Sequence, residues 1–412
     1  MRDSIYLDHH ATTPLDPAAL AAMLPFLESR FGNPASRTHC FGQDAAEAVA
    51  HARESVARLV GAAPREVIFT SGATESDNLA LFGIVEAARI SGRTDPHLIV
   101  GATEHVAVLD PAQRLEERGV AVTRVAVDRW GRVDPDDVSR SVRSGTVLVS
   151  LMTANNEVGT LHPLAEIGRR LRALGVPLHS DASQAAGRIP LDAEGGLADL
   201  LSLSAHKVHG PKGVGALVVR EVAGIRPLAR VLGGGHERGL RSGTANVPAI
   251  VGFGAAAAIA LDRLHDDARR LARLCDTLFE RLRGEVGGVE RNGHPVARLP
   301  NNLHLTIDGV DGEALATGLG SEVALSTGSA CASAAPGPSH VLRAMGLTTA
   351  RAAGSIRIGL GRFTTDEEIE RAGARIAEEI RRLRAISSGP PFDSAFGSAQ
   401  GKGGLPRAKS RG

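Results

Sequence analysis

Short apolar or β-branched runs alternate with amphipathic segments along the first half of the chain. The segment LAEIGRRLRALG places Leu164, Ile167 and Leu171 at helical spacing, and Gly175 marks its end. The alternation predicts an α/β fold with a mostly parallel sheet flanked by helices. The runs that predict strands are EVIF, HLIV, VAVTRVAV, TVLVSLM, VPLHSDA and ALVVR, at residues 66–69, 97–100, 120–127, 146–152, 176–182 and 216–220.

The second half has a different pattern. A long helix is predicted from about Thr244 through ARRLARLCDTLFERLRG, and the segment from NNLHLTIDG to DEEIERAGARIAEEIRRLRAI reads as a smaller α+β unit. Because 412 residues exceed what one hydrophobic core usually organises, we expect two domains. The predicted large domain spans 15–260, and the small domain combines 1–14 with 261–386. Residues 387–412 are rich in Gly, Ser and Pro without periodicity, which predicts a disordered tail.

Composition excludes several classes of protein. The formal net charge of +1 gives no reason to expect nucleic-acid binding or an anionic membrane surface. The first twenty residues lack the apolar core of a secretory signal, and the apolar run at 245–261 is shorter than a bilayer span. Cys40, Cys275 and Cys331 are too scattered for a metal site and odd in number for a disulfide framework. A protein of the reducing cytoplasm, without a metal, is expected.

Lysine is scarce, which narrows any chemistry that needs an amine. The only lysines are Lys207, Lys212, Lys402 and Lys409, and the last two lie in the predicted tail. Lys212 falls in a Gly-Pro-Lys-Gly turn, where exposure to solvent is expected. Lys207 is therefore the favoured candidate.

The segment FTSGATESDNLAL, residues 69–81, predicts a strand that ends in a Ser-Gly turn before a helix. Unpaired N–H groups and the helix dipole at such a start attract phosphate, Gly72 allows close approach, and Thr74 beside Ala73 adds a hydroxyl. A capped surface helix without a ligand would give the same pattern.

Two further segments add complementary chemistry. In LHSDASQAAGR a strand delivers Asp181 and Gln184 to the edge of the sheet where ligands gather, although an aspartate there can also cap the next helix. In SLSAHKVHGPKG, Ser204 and His206 accompany Lys207. An amine beside a hydroxyl and an imidazole suits a phosphate-bearing aldehyde, and an aspartate paired to a pyridinium nitrogen keeps the ring electron-withdrawing. The three segments together predict pyridoxal phosphate as the cofactor.

The order of motifs along the chain then resembles a known family. YLDHHATTP, FGNPASRTH, TSGATESDN, TEHVAVLD, NNEVGT, SDASQ, SAHKVHGPKG, GGGHERGLRSGT, STGSACAS and SIRIGLGRFTT occur between residues 5 and 365. In this order they resemble the cysteine desulfurases of the IscS and NifS-like branch. That branch belongs to the class V aminotransferase group of fold-type-I pyridoxal-phosphate enzymes. The resemblance implies that fold, with a large cofactor-binding domain and a smaller α+β domain.

The resemblance also implies a role for each matching residue. Lys207 would form the Schiff base with the cofactor, Asp181 would pair with the pyridinium nitrogen, and Gln184 would bind the ring oxygen. His105 would stack on the ring and is a candidate general acid or base. Further cofactor contacts would come from Ala73, Thr74, Ser204, His206 and, reaching into the neighbouring subunit of a homodimer, Thr244; the substrate carboxylate would be bound by Asn156 and Arg357.

Cys331 would be the second catalytic residue besides Lys207. It lies in STGSACASAAPGPSH, a small-residue segment that predicts a mobile loop, and such a loop suits a nucleophile that must take sulfur from the substrate and deliver it outside the pocket. The alternative is a small buried cysteine.

The expected activity is conversion of L-cysteine to L-alanine, with the sulfur held as a persulfide on Cys331. The acceptor would be an iron-sulfur scaffold, a tRNA-thiolation protein or a dedicated sulfurtransferase. Selenocysteine lyase and a non-catalytic scaffold subunit are the alternative functions. The sequence after Ile386 does not resemble the ending with which IscS-like proteins dock an iron-sulfur scaffold.

Overall fold

A computed structural model of the chain describes residues 4–193, 195–327 and 339–387. Within these ranges the strands are β1 (Ile5–Tyr6), β2 (Val67–Thr70), β3 (His97–Gly101), β4 (Ala121–Val125), β5 (Thr146–Ser150), β6 (Leu178–Asp181), β7 (Leu200–Ser204), β8 (Gly215–Val219), β9 (Val289–Arg291), β10 (Asn302–Ile307), β11 (Val323–Ala324) and β12 (Ser355–Gly359). The helices are α1 (Pro17–Glu28), α2 (Cys40–Leu59), α3 (Ala73–Ile90), α4 (Val106–Glu117), α5 (Pro135–Ser141), α6 (Leu164–Ala173), α7 (Val247–Asp262), α8 (Leu264–Val286), α9 (Gly312–Leu319), α10 (His340–Ala344), α11 (Thr349–Ala353) and α12 (Asp366–Ser387).

The largest sheet has the strand order β2-β8-β7-β6-β5-β3-β4. Only β8 runs antiparallel to its neighbours, and every other pairing in this sheet is parallel. The predicted α/β class with a mostly parallel sheet is therefore confirmed. The sequence pattern did not predict β7, because serines interrupt the apolar residues of its sequence LLSLS. All five residues of this strand are buried.

Side chains of the large sheet alternate between two apolar layers, as the pleat of a strand requires. Along β2, for example, Val67 and Phe69 join the layer with α1, α2, α6 and α7, whereas Ile68 joins the layer with α3 and α4. Both faces are covered, which is typical of a parallel sheet and explains the near-continuous apolar strand sequences.

The predicted single long helix is wrong, because the structure has two helices, α7 and α8, that meet at 72°. Arg263 lies between them with non-helical dihedral angles of −92° and 1°. Helix α7 is apolar over most of its surface and packs on α1 and α2, while α8 is amphipathic and packs on a different apolar cluster. The bend follows from this change of packing partner. Among the described residues no single helix is long and apolar enough to cross a membrane, and only the bent pair α7 and α8 meets the length and composition criterion together.

A separate apolar cluster is built from β1 and the elements after α7. It includes Ile5 and Leu7, side chains of α8 and α12, and the antiparallel sheet β12-β10-β9. Strand β1 pairs in parallel with β11, so the N-terminal residues pack with the C-terminal part of the chain. The predicted domain boundaries stay a prediction, and the predicted tail from residue 388 onward lies outside the described residues.

Candidate active site

One edge of the large sheet collects the ends of β2 and β7. Thr70 at the end of β2 pairs with Gly215, which also pairs with Ser204 at the end of β7. A side chain at Gly215 would come within 2.4 Å of the Leu203 carbonyl oxygen and 2.6 Å of the Gly72 Cα. Glycine at position 215 thus allows the start of α3 to lie directly against the sheet edge.

The N-terminus of α3 lies at this edge and lacks a side-chain cap. Its cap residue, Gly72, has a φ of +156° and a ψ of 179°, a conformation that is nearly exclusive to glycine, and no side chain accepts a hydrogen bond from the first turn. Ala73 and Thr74 begin the helix. First-turn N–H groups without a cap, at the positive end of a helix dipole, form an anion site.

Lys207 ends a short 3-10 turn, Ala205–Lys207, that follows β7 directly. Its Nζ donates to the backbone oxygens of His10 and Ala11, at 2.5 and 2.9 Å. The N-terminal segment also contacts the neighbouring residue, since the Thr13 N–H donates to the His206 oxygen at 3.0 Å. The loop after β1 therefore holds the lysine at the sheet edge.

The parallel strands β5 and β6 bring further polar groups to the same edge. Asp181 is the last residue of β6, and its Oδ1 accepts the Ser183 N–H at 2.9 Å. This contact is the turn capping that sequence reasoning had left open, and it leaves Oδ2 for another partner. Gln184 follows in the next turn, and Asn156 lies in the loop after β5. Because carboxyl ends of adjacent parallel strands share one sheet edge, these residues converge.

Arg357 reaches the site from the small sheet. It lies in the middle of β12 and is 1% exposed. Its Nη1 donates to the Asn156 backbone oxygen at 3.1 Å, its Nη2 pairs with Asp8 at 2.9 Å, and its buried Nε has no hydrogen-bond partner. A buried guanidinium with an unsatisfied donor is suited to bind a carboxylate.

Burial determines the protonation of both histidines predicted for the site. Burial lowers the pKa of His206 to about 4, with Lys207 and Lys212 adding to the effect, and burial also lowers the pKa of His105. The Nδ1 of His105 accepts the Ala107 N–H at 3.1 Å as the cap of α4. A neutral His105 therefore has its hydrogen on Nε2.

Sequence reasoning missed two buried carboxyl groups behind the site. Asp77 is fully buried on α3, where a carboxyl oxygen lies 3.5 Å from the Nε2 of His179. Burial raises the pKa of Asp77 and of Glu104 well above the usual range, and burial lowers that of His179 to about 4. Both shifts favour the neutral forms of Asp77 and His179. Helical spacing gave a signal for Asp77, which shares the buried face of α3 with Leu81.

A third residue that the sequence did not identify is His10, which lies in the motif YLDHHATTP but received no predicted role. Its ring is 2% exposed and faces the same space as the residues above. No periodicity identifies it, because it lies in the loop after β1 and its polar partners are 174 and 292 residues away.

Most side chains that the sequence predicts for the site line one cavity of about 470 Å³. This volume is typical of small-molecule sites. Thr244 does not line it but lines a second cavity of about 640 Å³, which shares Ser71 and Gly213 with the first. Cys331 lies outside the described residues. The sequence-predicted residues that line the first cavity are Ala73, Thr74, His105, Asn156, Asp181, Gln184, Ser204, His206, Lys207 and Arg357.

The cavity fits pyridoxal phosphate. The uncapped start of α3, with Ser204 and His206 beside it, suits the phosphate, and Lys207 offers an amine for the aldehyde. The free oxygen of Asp181 suits a protonated ring nitrogen.

Comparisons with known proteins agree with this geometry. The family model described as aminotransferase class V matches residues 5–372. A cysteine desulfurase IscS from Anaeromyxobacter sp. (strain Fw109-5) is 50% identical over 387 residues, 94% of this chain and 95% of the relative. A solved structure described as a NifS-like protein has a TM-score of 0.85 and 36% identity, covering 92% of this chain and 100% of that one. Another, described as SspA in complex with cysteine, has a TM-score of 0.77 and 33% identity, covering 88% of this chain and 100% of that one.

Proposed function

The chain belongs to the class V aminotransferase family and is a cysteine desulfurase, and from this premise we propose how its own residues divide the reaction. This membership confirms two predictions from the sequence: the family that its motifs resemble and pyridoxal phosphate as the cofactor. The reaction converts L-cysteine to L-alanine and retains the sulfur. The observation that supports the residue roles is the convergence, in one cavity, of an amine, an uncapped helix start and a buried guanidinium.

Lys207 would hold the cofactor, and the start of α3 with Ser204 and His206 would hold its phosphate. Asp181 would contact the ring nitrogen, and Gln184 would contact the ring oxygen. When bound, pyridoxal phosphate supplies an electron sink that stabilises negative charge on the substrate α carbon. Lys207 would also remove the substrate α proton, because the loop after β1 holds its Nζ at the sheet edge.

The substrate carboxylate binds Arg357 and Asn156. Arg357 is paired to Asp8, and its Nε is unsatisfied, so an incoming carboxylate gains a donor and competes with Asp8 for the planar fork. Burial strengthens this contact, since water does not screen it. The amino acid is thereby oriented with its α carbon toward the lysine.

His105 would act as a hydrogen-bond donor through Nε2. Its other nitrogen is engaged by the Ala107 N–H, so the imidazole offers a hydrogen rather than a lone pair on the side away from the cap. The lowered pKa keeps the ring neutral near pH 7. A neutral donor beside Lys207 avoids placing two positive charges together.

Cys331 is the sulfur acceptor within the chain. Its thiolate forms an S–S bond to the substrate sulfur while the Cβ–S bond of the substrate breaks, so the carbon skeleton leaves as alanine after gaining a proton and Cys331 keeps a persulfide. The described residues on either side support this role. Ser326 pairs with Arg357, and the hydroxyl of Ser339 donates to Glu157 at 2.5 Å, so these two described residues lie beside the proposed carboxylate site.

A homodimer completes the site, with Thr244 contacting the phosphate held by the other subunit. The second cavity supports this proposal, because Thr244 lines it and it adjoins the first one. Apolar side chains near α1 are also exposed, among them Leu27 at 60% and Phe31 at 70%. A second copy covering them would remove a large apolar surface from water.

The persulfide passes to an acceptor protein, an iron-sulfur scaffold or a sulfurtransferase, in the cytoplasm. Relatives bearing the IscS name support iron-sulfur assembly. The small number of cysteines supports a reducing compartment.

Three variants of the purified holoenzyme test these roles. Lys207→Ala is expected to lose the absorption band of bound cofactor, and Lys212→Ala, which alters an exposed lysine of the same cavity, is expected to keep it. Cys331→Ala is expected to keep the band and lose sulfide release from cysteine. Wild-type sulfide release by the Cys331 variant would exclude the persulfide route.

A further inference from the structure

His10 contacts two side-chain amides on opposite sides of its ring. Its Nδ1 lies 2.9 Å from the Oε1 of Gln184, and its Nε2 lies 3.1 Å from the Nδ2 of Asn302. The ring is buried and lines the cofactor cavity. A neutral imidazole has one donor and one acceptor nitrogen, so the neighbours decide which is which.

The amide of Asn302 has its orientation set on the side away from His10. Its Nδ2 donates to the Glu157 backbone oxygen at 2.8 Å, and its Oδ1 accepts from Arg298 at 3.3 Å. Its nitrogen therefore faces His10 and donates to Nε2. The hydrogen of the imidazole must then be on Nδ1, where it is donated to the oxygen of Gln184.

Both ends of the Gln184 amide are consequently engaged by one residue. Its oxygen accepts from the His10 ring, and its nitrogen donates to the His10 backbone oxygen at 3.0 Å. That same backbone oxygen accepts from the Nζ of Lys207 at 2.5 Å. Gln184 and Lys207 are thus positioned against a common atom, with the amide nitrogen turned toward the lysine side.

We propose that His10 is a positioning residue that fixes the Gln184 amide with its N–H, rather than its oxygen, presented to the ring oxygen of the cofactor. This inference rests on the proposed function, since it needs the cofactor in this cavity. If the Gln184 amide were reversed, its oxygen would face the ring oxygen of the cofactor, and the hydrogen bond between them would be lost. The hydrogen-bond polarity runs from Asn302 through His10 to Gln184 and ends at the cofactor.

The surroundings of His10 keep this polarity constant. Burial lowers the pKa of His10 well below its usual range, and the positive charges of Arg357, Lys207 and Arg188 lower it further. A second proton on the ring would also oppose the Asn302 N–H. The Nδ1–H form therefore persists at the pH values at which the enzyme is assayed.

The test measures the pH midpoint of the visible absorbance change of bound cofactor in the holoenzyme. A donor to the ring oxygen favours its negatively charged form, so losing the donor raises the midpoint. His10→Leu is expected to raise it by about one unit, the effect of one hydrogen bond to a charged oxygen. Gln184→Ala is expected to give a similar shift, and the double variant no further shift, because His10 acts through Gln184.

Two amide variants separate the hydrogen bond from packing and remain informative if His10→Leu fails to fold. His10→Asn places an amide nitrogen where Nδ1 lies and is expected to keep the wild-type midpoint. His10→Gln places it where Nε2 lies and is expected to shift the midpoint as His10→Leu does. His97→Asn, which alters a buried histidine bonded to Thr146 and Thr123 outside this cavity, is the control for loss of a buried imidazole.

The outcomes are distinguishable. Equal midpoints for His10→Asn and His10→Gln, or additive shifts in the double variant, would overturn the positioning role. A wild-type protein that shows no cofactor band would instead overturn the proposed function itself.

Discussion

Arg357→Lys is expected to weaken substrate use while leaving the cofactor bound. The guanidinium is buried, donates to Asn156 and Asp8, and has an unsatisfied Nε. Lysine keeps the positive charge but lacks the planar fork that meets a carboxylate with two parallel hydrogen bonds. Loss of one charge-assisted hydrogen bond corresponds to about 1.5–3 kcal/mol, or roughly 10- to 150-fold in kcat/KM for cysteine.

The assay is steady-state sulfide release over a range of cysteine concentrations, with the cofactor band recorded in the same samples. Arg220→Lys is the matched control, because Arg220 is a buried arginine paired with Glu66 at 3.1 Å outside the cofactor cavity. It is expected to keep kcat/KM. If Arg357→Lys stays within about twofold of the wild type, Arg357 does not bind the substrate carboxylate through its fork.

Three other predictions concern affinity, stability and reactivity. Gly215→Ala is expected to push α3 away from the sheet and to lower the affinity for pyridoxal phosphate at least about tenfold, as measured in a reconstitution titration. Gly284→Ala, which adds a methyl group in open space on α8, is the control and should leave the affinity unchanged. In urea unfolding, Asp77→Asn is expected to have the same midpoint as the wild type at pH 4 and a higher midpoint than the wild type at pH 8. Burial raises the pKa of Asp77, so the native state keeps a proton that the unfolded chain releases above about pH 4, and the contribution of Asp77 to stability falls as pH rises. Burial raises the pKa of the Cys275 thiol to about 12, whereas Cys40 is exposed. Iodoacetamide is therefore expected to modify Cys40 and to leave Cys275 unmodified until the protein unfolds, which peptide mass spectrometry would measure.

Local pattern was enough for most of the sheet. Six of the seven strands of the large sheet had apolar or β-branched runs, whereas β7 was missed because Ser202 and Ser204 interrupt its leucines. The hydroxyl of Ser202 is buried because it bonds His179, and Ser204 lines the cofactor cavity. The break between α7 and α8 was missed for another reason: Arg263 is neither glycine nor proline, and the bend comes from packing on two clusters.

The site was predictable only as far as its motifs are local. Lys207 is the candidate because lysine is scarce and because of the residues next to it, and it lines one cavity together with Asp181 and Ser204. The pairing of Arg357 with Asp8, and of His10 with Asn302, joins residues 349 and 292 positions apart. No spacing rule encodes such contacts, because they arise when β1 packs with the C-terminal part of the chain.

The most direct test of the central claim is to locate the cofactor on the chain. Borohydride reduction of the holoenzyme fixes pyridoxal phosphate covalently to the amine that holds it, and peptide mass spectrometry then identifies the modified lysine. We predict the modification on Lys207 alone, lost in Lys207→Ala and retained in Lys212→Ala. Modification of Lys212, or of no lysine, would contradict the assignment of this cavity as the catalytic site.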